Sequence, residues 1–183
     1  MVQDKGEGYF SKMKGTGKSP ERVGWFEVAI SWIGAFLGIS IVSYLNYNVL
    51  NKTDLVMMIG SFGASAVLIY GAVKSPLAQP RNFVGGHIVS ALVGVSFYKL
   101  ISQPWLASSL AVATAIAVMH LTKTLHPPGG ATALIAVIGS DKIHALGYMY
   151  VITPVALGAI ILLVVSLIVN NIPNGRRYPV FWW

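Results

Sequence analysis

Charged positions divide the chain into long apolar blocks. No Asp, Glu, Lys or Arg occurs between Glu27 and Lys52, or over 55–73, 82–98, 100–122, 124–140 and 143–175. A helix needs about 20 mainly apolar residues to cross a hydrocarbon core of about 30 Å, and several blocks meet that length. The pattern predicts spans over roughly 24–46, 55–73, 82–101, 105–123 and 145–170, with a kink at Pro154 in the last. A shorter apolar stretch, 130–139, follows a proline-rich turn. Ten helical residues rise about 15 Å, half a bilayer, so this stretch either completes a crossing or re-enters. The expected fold is all-α: a polytopic membrane helical bundle of about six membrane elements, including short or broken helices.

Composition agrees with this reading. The chain is 55% hydrophobic and 10% charged, against about 25% charged in a soluble domain. A soluble bundle would need charge on every outer helix face, and a disordered chain would lack the apolar content. The net charge of +7 sits in tails and loops, which marks it as orientation and headgroup charge rather than a nucleic-acid footprint. One set of connections holds Lys5, Lys12, Lys14, Lys18, Arg22, Lys74, Arg81, Lys123, Arg176 and Arg177, and the other holds Lys52, Lys99 and Lys142. If the short stretch crosses, both termini are cytoplasmic. The expected organisation is a polar tail over 1–22, a membrane domain over 23–172 and a basic, aromatic tail over 173–183 that anchors at the interface. Residues 1–22 lack a secretory-signal pattern. Without cysteine there is no disulfide or thiolate metal site.

An internal repeat is visible. Residues 63–68, Gly-Ala-Ser-Ala-Val-Leu, resemble 130–135, Gly-Ala-Thr-Ala-Leu-Ile. Each is followed by a span with a similar run, Ala91-Leu92-Val93-Gly94 and Ala156-Leu157-Gly158. Three elements per half would invert one half relative to the other, as in 3+3 transporter folds; chance recurrence of small residues is the alternative. Gly34, Gly38, Gly60, Gly94 and Gly158 are candidates for close helix approach.

Two segments interrupt the apolar background. One runs Ser75-Pro76-Leu77-Ala78-Gln79-Pro80-Arg81-Asn82 and continues to Gly85-Gly86-His87. The other is His126-Pro127-Pro128-Gly129-Gly130-Ala131-Thr132. The prolines oppose helix just before them, so a helix is expected from about Gly130, with its first N–H groups unpaired. Those donors and the helix dipole suit an anion. A matching start is expected near Gly63. Thr132 and Ser65 hold equivalent repeat positions and either face a pore or bond back to their own helix. His126 and His87 are ionisable groups at membrane depth, where function is the default reading; the alternative is a neutral group bonding backbone. Arg81 is either an orientation charge or a loop organiser beside Asn82. Glu27 is expected at the interface, near a helix N-terminus. The histidines lack metal-ligand spacing, and no nucleotide loop, catalytic triad or cofactor motif appears. Neither an enzyme nor a bound cofactor is expected.

These two segments resemble the HPP family of integral membrane proteins, named for its His-Pro-Pro motif. The resemblance extends over roughly 25–172. It implies a multi-span membrane protein, and plastid and cyanobacterial members are associated with nitrite transport. Some bacterial members carry a soluble regulatory pair after the membrane region. Since this chain shows neither that pair nor a plastid transit peptide, a bacterial inner membrane is the expected setting. The expected function is a transporter or channel for a small inorganic anion, nitrite by resemblance, held at helix N-termini near mid-membrane by His126, Pro127, Pro128, Gly129, Gly130, Ala131, Thr132, Gly63, Ser65, His87, Arg81 and Asn82. The expected partners are that anion, the lipid bilayer and further copies of the chain, with no nucleic acid. The alternative is a membrane-embedded sensory or scaffold module without transport.

Overall fold

A computed structural model describes residues 9–15, 17–50, 53 and 55–183. Lys5 and Lys52, two of the cations counted for orientation, lie outside the described residues. Among the described residues all regular secondary structure is helical. Helix α1 runs Trp25–Tyr44 and continues as a π turn to Val49. Helix α2, Gly60–Ala66, likewise continues as a π turn to Gly71. Then come α3 (Pro80–Leu100), α4 (Pro104–Leu121), α5 (Pro127–Ile138), α6 (Asp141–Leu146) and α7 (Leu157–Val169).

Three of these helices begin at proline. Residues 79, 103 and 126 before them are extended, as a following proline requires. The missing proline N–H falls where the helix has no internal acceptor for it. This corrects two expected boundaries. Helix α5 starts at Pro127 rather than near Gly130, with both prolines in its first turn. The expected span 55–73 is helical only over Gly60–Gly71, after a non-helical lead-in at 55–59. The expected break at Pro154 is present, with Thr153 non-helical just before α7.

Among the described residues, four helical stretches are long and apolar enough to cross a membrane: Trp25–Val49, Pro80–Leu100, Pro104–Leu121 and Val151–Val169. Gly60–Gly71 and Pro127–Ile138 are shorter. At about 1.5 Å per residue each short helix covers roughly half the bilayer. Contacts at their ends show how the crossings are completed. Asn46, near the end of α1, accepts from the N–H groups of Met57 and Met58 in the lead-in to α2 (2.9 and 3.1 Å). At the other end of α2, the Tyr70 carbonyl accepts from Arg176. Helix α5 starts beside Leu77, just before α3. Beyond α5, Tyr148 bonds Ser96 and His144 stacks on Tyr98, both at the end of α3. Each short helix with its lead-in therefore runs from one end of the bundle to the other and does not re-enter.

The element order is long, short, long, twice over. Packing follows the same exchange: α1 lies on α7 as α4 lies on α3, α1 on α2 as α4 on α5, and α3 on α5 as α7 on α2. The glycines of the matching runs sit at equivalent contacts. A Cβ on Gly94 would fall 2.5 Å from the Ala133 carbonyl of α5, and one on Gly158 would strike the Phe62 ring of α2. In both halves the third helix meets the opposite short helix through a missing side chain. Gly34 and Gly38 seat the Tyr70 ring against α1, whereas Gly60 borders open space. The outer faces carry Trp25, Phe26, Trp32, Phe36, Tyr44 and Trp105, with aromatics at helix ends as an interfacial belt requires.

The C-terminal tail departs from the expected anchor. Arg176 is buried, donating to Glu27 (Nε, 2.9 Å), Asn170, Ser31 and the Tyr70 carbonyl. The Tyr178 hydroxyl donates to the Ala78 carbonyl at 2.8 Å, and the Val180 N–H donates to Gln79 Oε1 at 2.7 Å. The tail thus packs over the 75–79 turn, and Glu27 is an ion-pair partner rather than a solitary interfacial charge. Burying a guanidinium requires that nearly all its donors be met.

Candidate functional site

The Ser75–Asn82 segment builds the site. The Ser75 hydroxyl accepts from the Leu77 N–H and starts a 3-10 turn, Pro76–Ala78. Gln79, fully buried, donates to the carbonyls of Val73 and Ser75. Arg81 donates to the Thr122 carbonyl (2.8 Å) and Asn82 to that of Leu125 (2.9 Å). The Leu77 carbonyl lies 2.8 Å from His126 Nδ1. The two motif segments, whose contacts span more than forty residues of chain, are therefore one structural unit in which the first holds the non-helical lead-in of the second. Irregular backbone at membrane depth must find such partners within the protein. Arg81 acts here as a loop organiser.

Two glycines allow the contact. A Cβ on Gly86 would fall 2.6 Å from both His126 Cβ and the Thr124 carbonyl. One on Gly129 would fall 2.7 Å from Ser90 Oγ. Real Cβ atoms do not approach so closely, so α3 and the start of α5 touch only because both residues are glycine.

At the centre, Ser65 Oγ lies 2.7 Å from His87 Nε2 and 2.9 Å from His126 Nε2. His87 Nδ1 lies 2.7 Å from Thr132 Oγ1. Thr132 is also 2.8 Å from Ser61 Oγ and 3.3 Å from the Pro128 carbonyl four residues back. Ser65 makes the matching bond to the Ser61 carbonyl at 3.2 Å. All five side chains are buried. The imidazole centroids are 5.0 Å apart, with Phe83 against both rings and Phe62 against His87. The Tyr150 hydroxyl closes the far side by donating to the Thr132 carbonyl at 3.1 Å. Among the described residues no charged side chain bonds either imidazole and there is no cluster of metal-ligating type.

Ser65 and Thr132 each stand sixth in their short helix and both bond back four residues, the second of the two readings weighed for them, while their oxygens also meet the imidazoles. Ser61 meets Thr132 while Ser65 meets His126, so α2 and α5 run antiparallel side by side and overlap at their first turns. This differs from two N-termini aimed into one pocket. Moreover, Pro127 and Pro128 remove two of the N–H donors expected at the start of α5. Gly63 and Pro127 are exposed, facing away from the centre, and Gly130 and Ala131 are half-buried. Those two, with Pro127, Ile116 and Leu134, line an apolar cavity of about 630 Å³. A second cavity, about 650 Å³, lies between Arg81, Gly85, Thr124, Trp182 and Trp183. Ser61 and the Leu77 carbonyl did not emerge from the sequence. The repeat offset pairs Ser61 with Pro128, so a hydroxyl there had no matching partner to draw attention to it.

Fold and site together define a polytopic helical membrane protein, built as two triplets around a pair of antiparallel half-length helices whose contact is polar. The profile of the HPP transmembrane region matches residues 20–179, and the chain belongs to that family. It is 50% identical over 179 residues to one transmembrane protein of Dictyostelium discoideum and 41% identical over 186 residues to another. Each alignment covers 96% of this chain, but only 57% and 63% of the respective relative. No solved structure matches the chain.

Proposed function

We propose that the chain is a transporter or channel for a small inorganic anion, with nitrite, by family resemblance, as the first substrate to test. The observation that carries this reading is the Ser65–His87–His126–Thr132 cluster where α2 and α5 overlap. Polar groups at this depth are costly and mark pathways, and paired half-helices are the usual frame of a mid-membrane substrate site. Imidazole and hydroxyl groups donate to an anion, and the cluster has no carboxylate to hold a cation. The anion would bind between the two imidazoles in place of the Ser65 hydroxyl. No catalysis or cofactor is involved.

The Lys/Arg asymmetry supports cytoplasmic termini, and the Glu27–Arg176 pair supports placing both ends of the domain on one side. The curated relatives come from Dictyostelium discoideum and do not support a bacterial inner membrane. The multi-pass topology stands without that address. Bilayer lipids and further copies of the chain remain the proposed partners.

The test is anion flux into liposomes holding purified protein, nitrite against nitrate, formate and chloride, with protein-free vesicles as baseline. Saturable nitrite flux above that baseline supports the reading. Baseline flux for all four anions under every gradient favours the membrane-embedded scaffold.

A further inference from the structure

The central hydrogen bonds form a chain whose proton positions follow from one carbonyl. His126 Nδ1 faces the Leu77 carbonyl oxygen at 2.8 Å, and a carbonyl oxygen only accepts. In neutral His126 the proton is therefore on Nδ1, and Nε2 is an acceptor. Its partner there is Ser65, which must donate to it. The single Ser65 proton is then committed, so His87 Nε2 must carry a proton and donate to Ser65. Neutral His87 is left with an accepting Nδ1, to which the Thr132 hydroxyl donates in place of its bonds to Ser61 Oγ and the Pro128 carbonyl. The two histidines are forced into opposite tautomers.

The same heavy atoms satisfy one added proton. If it sits on His126 Nε2, Ser65 turns its hydroxyl to the Ser61 carbonyl, 3.2 Å away, and its oxygen accepts from both imidazoles. If it sits on His87 Nδ1, Thr132 turns its hydroxyl to Ser61 Oγ or the Pro128 carbonyl. Charge also passes between the rings through Ser65. From the His87-protonated form, the His87 Nε2 proton passes to Ser65 Oγ while the Ser65 hydroxyl proton passes to His126 Nε2. One N–H and one O–H bond break and one of each forms; His126 becomes the cation, and His87 is left neutral as the Nδ1–H form, its Nε2 accepting from Ser65. A second proton would put two cations side by side, 5.0 Å between centroids, with nothing anionic among the described residues to offset them. The groups facing the pair from every packed element are neutral: Ser61, Phe62 and Ser65 from α2, Phe83 from α3, Thr132 from α5 and the Leu77 carbonyl from the preceding turn. Tyr150 faces the Thr132 carbonyl instead.

We infer that His87, Ser65 and His126 form a single proton-binding site shared between two imidazoles. Its use as a coupling site, one proton crossing with each anion, rests on the anion pathway proposed above; the site itself does not. An anion replacing Ser65 between the rings needs a donor on each Nε2. Because His126 already spends its Nδ1 proton on Leu77, it gains the second donor only by taking up a proton. Anion and proton therefore bind together.

Nitrogen-15 NMR of His-labelled full chain in lipid nanodiscs tests the site without any flux. At high pH, His126 is expected as the Nδ1–H form and His87 as the Nε2–H form. On acidification one imidazolium per chain is expected for the pair, exchanging between both rings. Ser65→Ala should end that exchange and leave each ring's protonation separate. Two independent imidazoliums, or neutral His126 as the Nε2–H form, would overturn the proposal. In liposomes with an internal pH dye, coupling predicts one proton entering with each nitrite. Nitrite flux that moves charge without protons overturns the coupling while the anion pathway stands. Baseline flux removes the pathway and the coupling role together, and the NMR result still decides the site.

Discussion

Arg176, beyond the end of α7, and Glu27, in the first turn of α1, form a salt bridge across 149 residues of chain. The Arg176 side chain is 4% exposed and that of Glu27 34%. The remaining guanidinium donors hold Asn170 of α7, Ser31 of α1 and the Tyr70 carbonyl at the end of α2. One side chain thus ties the first helix, the first short helix and the last helix at a single end of the bundle.

Arg176→Ala is expected to destabilise the domain by about 3 kcal/mol, because several buried acceptors lose their donor at once. Glu27→Gln should cost only about 1 kcal/mol, since an amide oxygen still accepts and that side chain reaches water. Arg176→Lys should rescue little, as an ammonium cannot span the same four partners. Thermal unfolding of detergent-purified variants ranks them. Equal, small shifts for all three would show that the tail is not clamped.

The glycine contacts predict a sharp split. Gly86→Ala and Gly129→Ala should each cost about 1–3 kcal/mol by overpacking, because neighbouring backbone or a buried serine lies in the way. Gly63→Ala and Gly130→Ala meet nothing closer than 3.9 Å and should be neutral or stabilising by up to about 1 kcal/mol. The same unfolding assay checks this, and a costly Gly63→Ala would sink it.

His126→Gln keeps a hydrogen-bonding side chain at the Leu77 turn but does not titrate. Flux in the unaltered protein should fall as pH rises, because the site needs a proton to seat the anion. The variant should show a flatter profile, and His87→Gln with His126→Gln none. An unchanged profile in the folded single variant would make His126 a purely structural support for its turn.

Tyr178 lies outside the membrane spans, and burial pushes its phenol up from 10.0 to about 12 against a lowering contribution from Ser166. A phenol with a raised folded value keeps its proton while the unfolded one loses it, so stability falls as pH rises from 10 towards 12. The full effect is at most about 3 kcal/mol. Tyr178→Phe should lose about 1 kcal/mol at neutral pH from the orphaned Ala78 carbonyl, yet show a shallower decline above pH 10. Denaturation at stepped alkaline pH separates the two effects; a parallel decline would refute the assignment.

Length and charge pattern alone determined that the chain is a multi-span helical bundle, because no soluble packing tolerates six apolar blocks of that length. They also exposed the repeat, since Gly-Ala-Ser-Ala and Gly-Ala-Thr-Ala place Ser65 and Thr132 at one helical register, which the structure retains. Helix starts were less legible. Pro127 and Pro128 read locally as breakers, but a first turn has no use for their missing N–H, and the Leu77 carbonyl and Asn82 hold what precedes them. That support comes from residues more than forty positions away, and local propensity carries no record of it. Arg176 was misread for the same reason. A cation near a chain end looks like a headgroup contact until Glu27, Asn170 and the Tyr70 carbonyl are seen converging on it. The tertiary structure alone decided that Ser65 stands between His87 and His126. Hydrogen-bond direction depends on every neighbour at once, and here one carbonyl bears on four side chains in turn, His126, Ser65, His87 and Thr132.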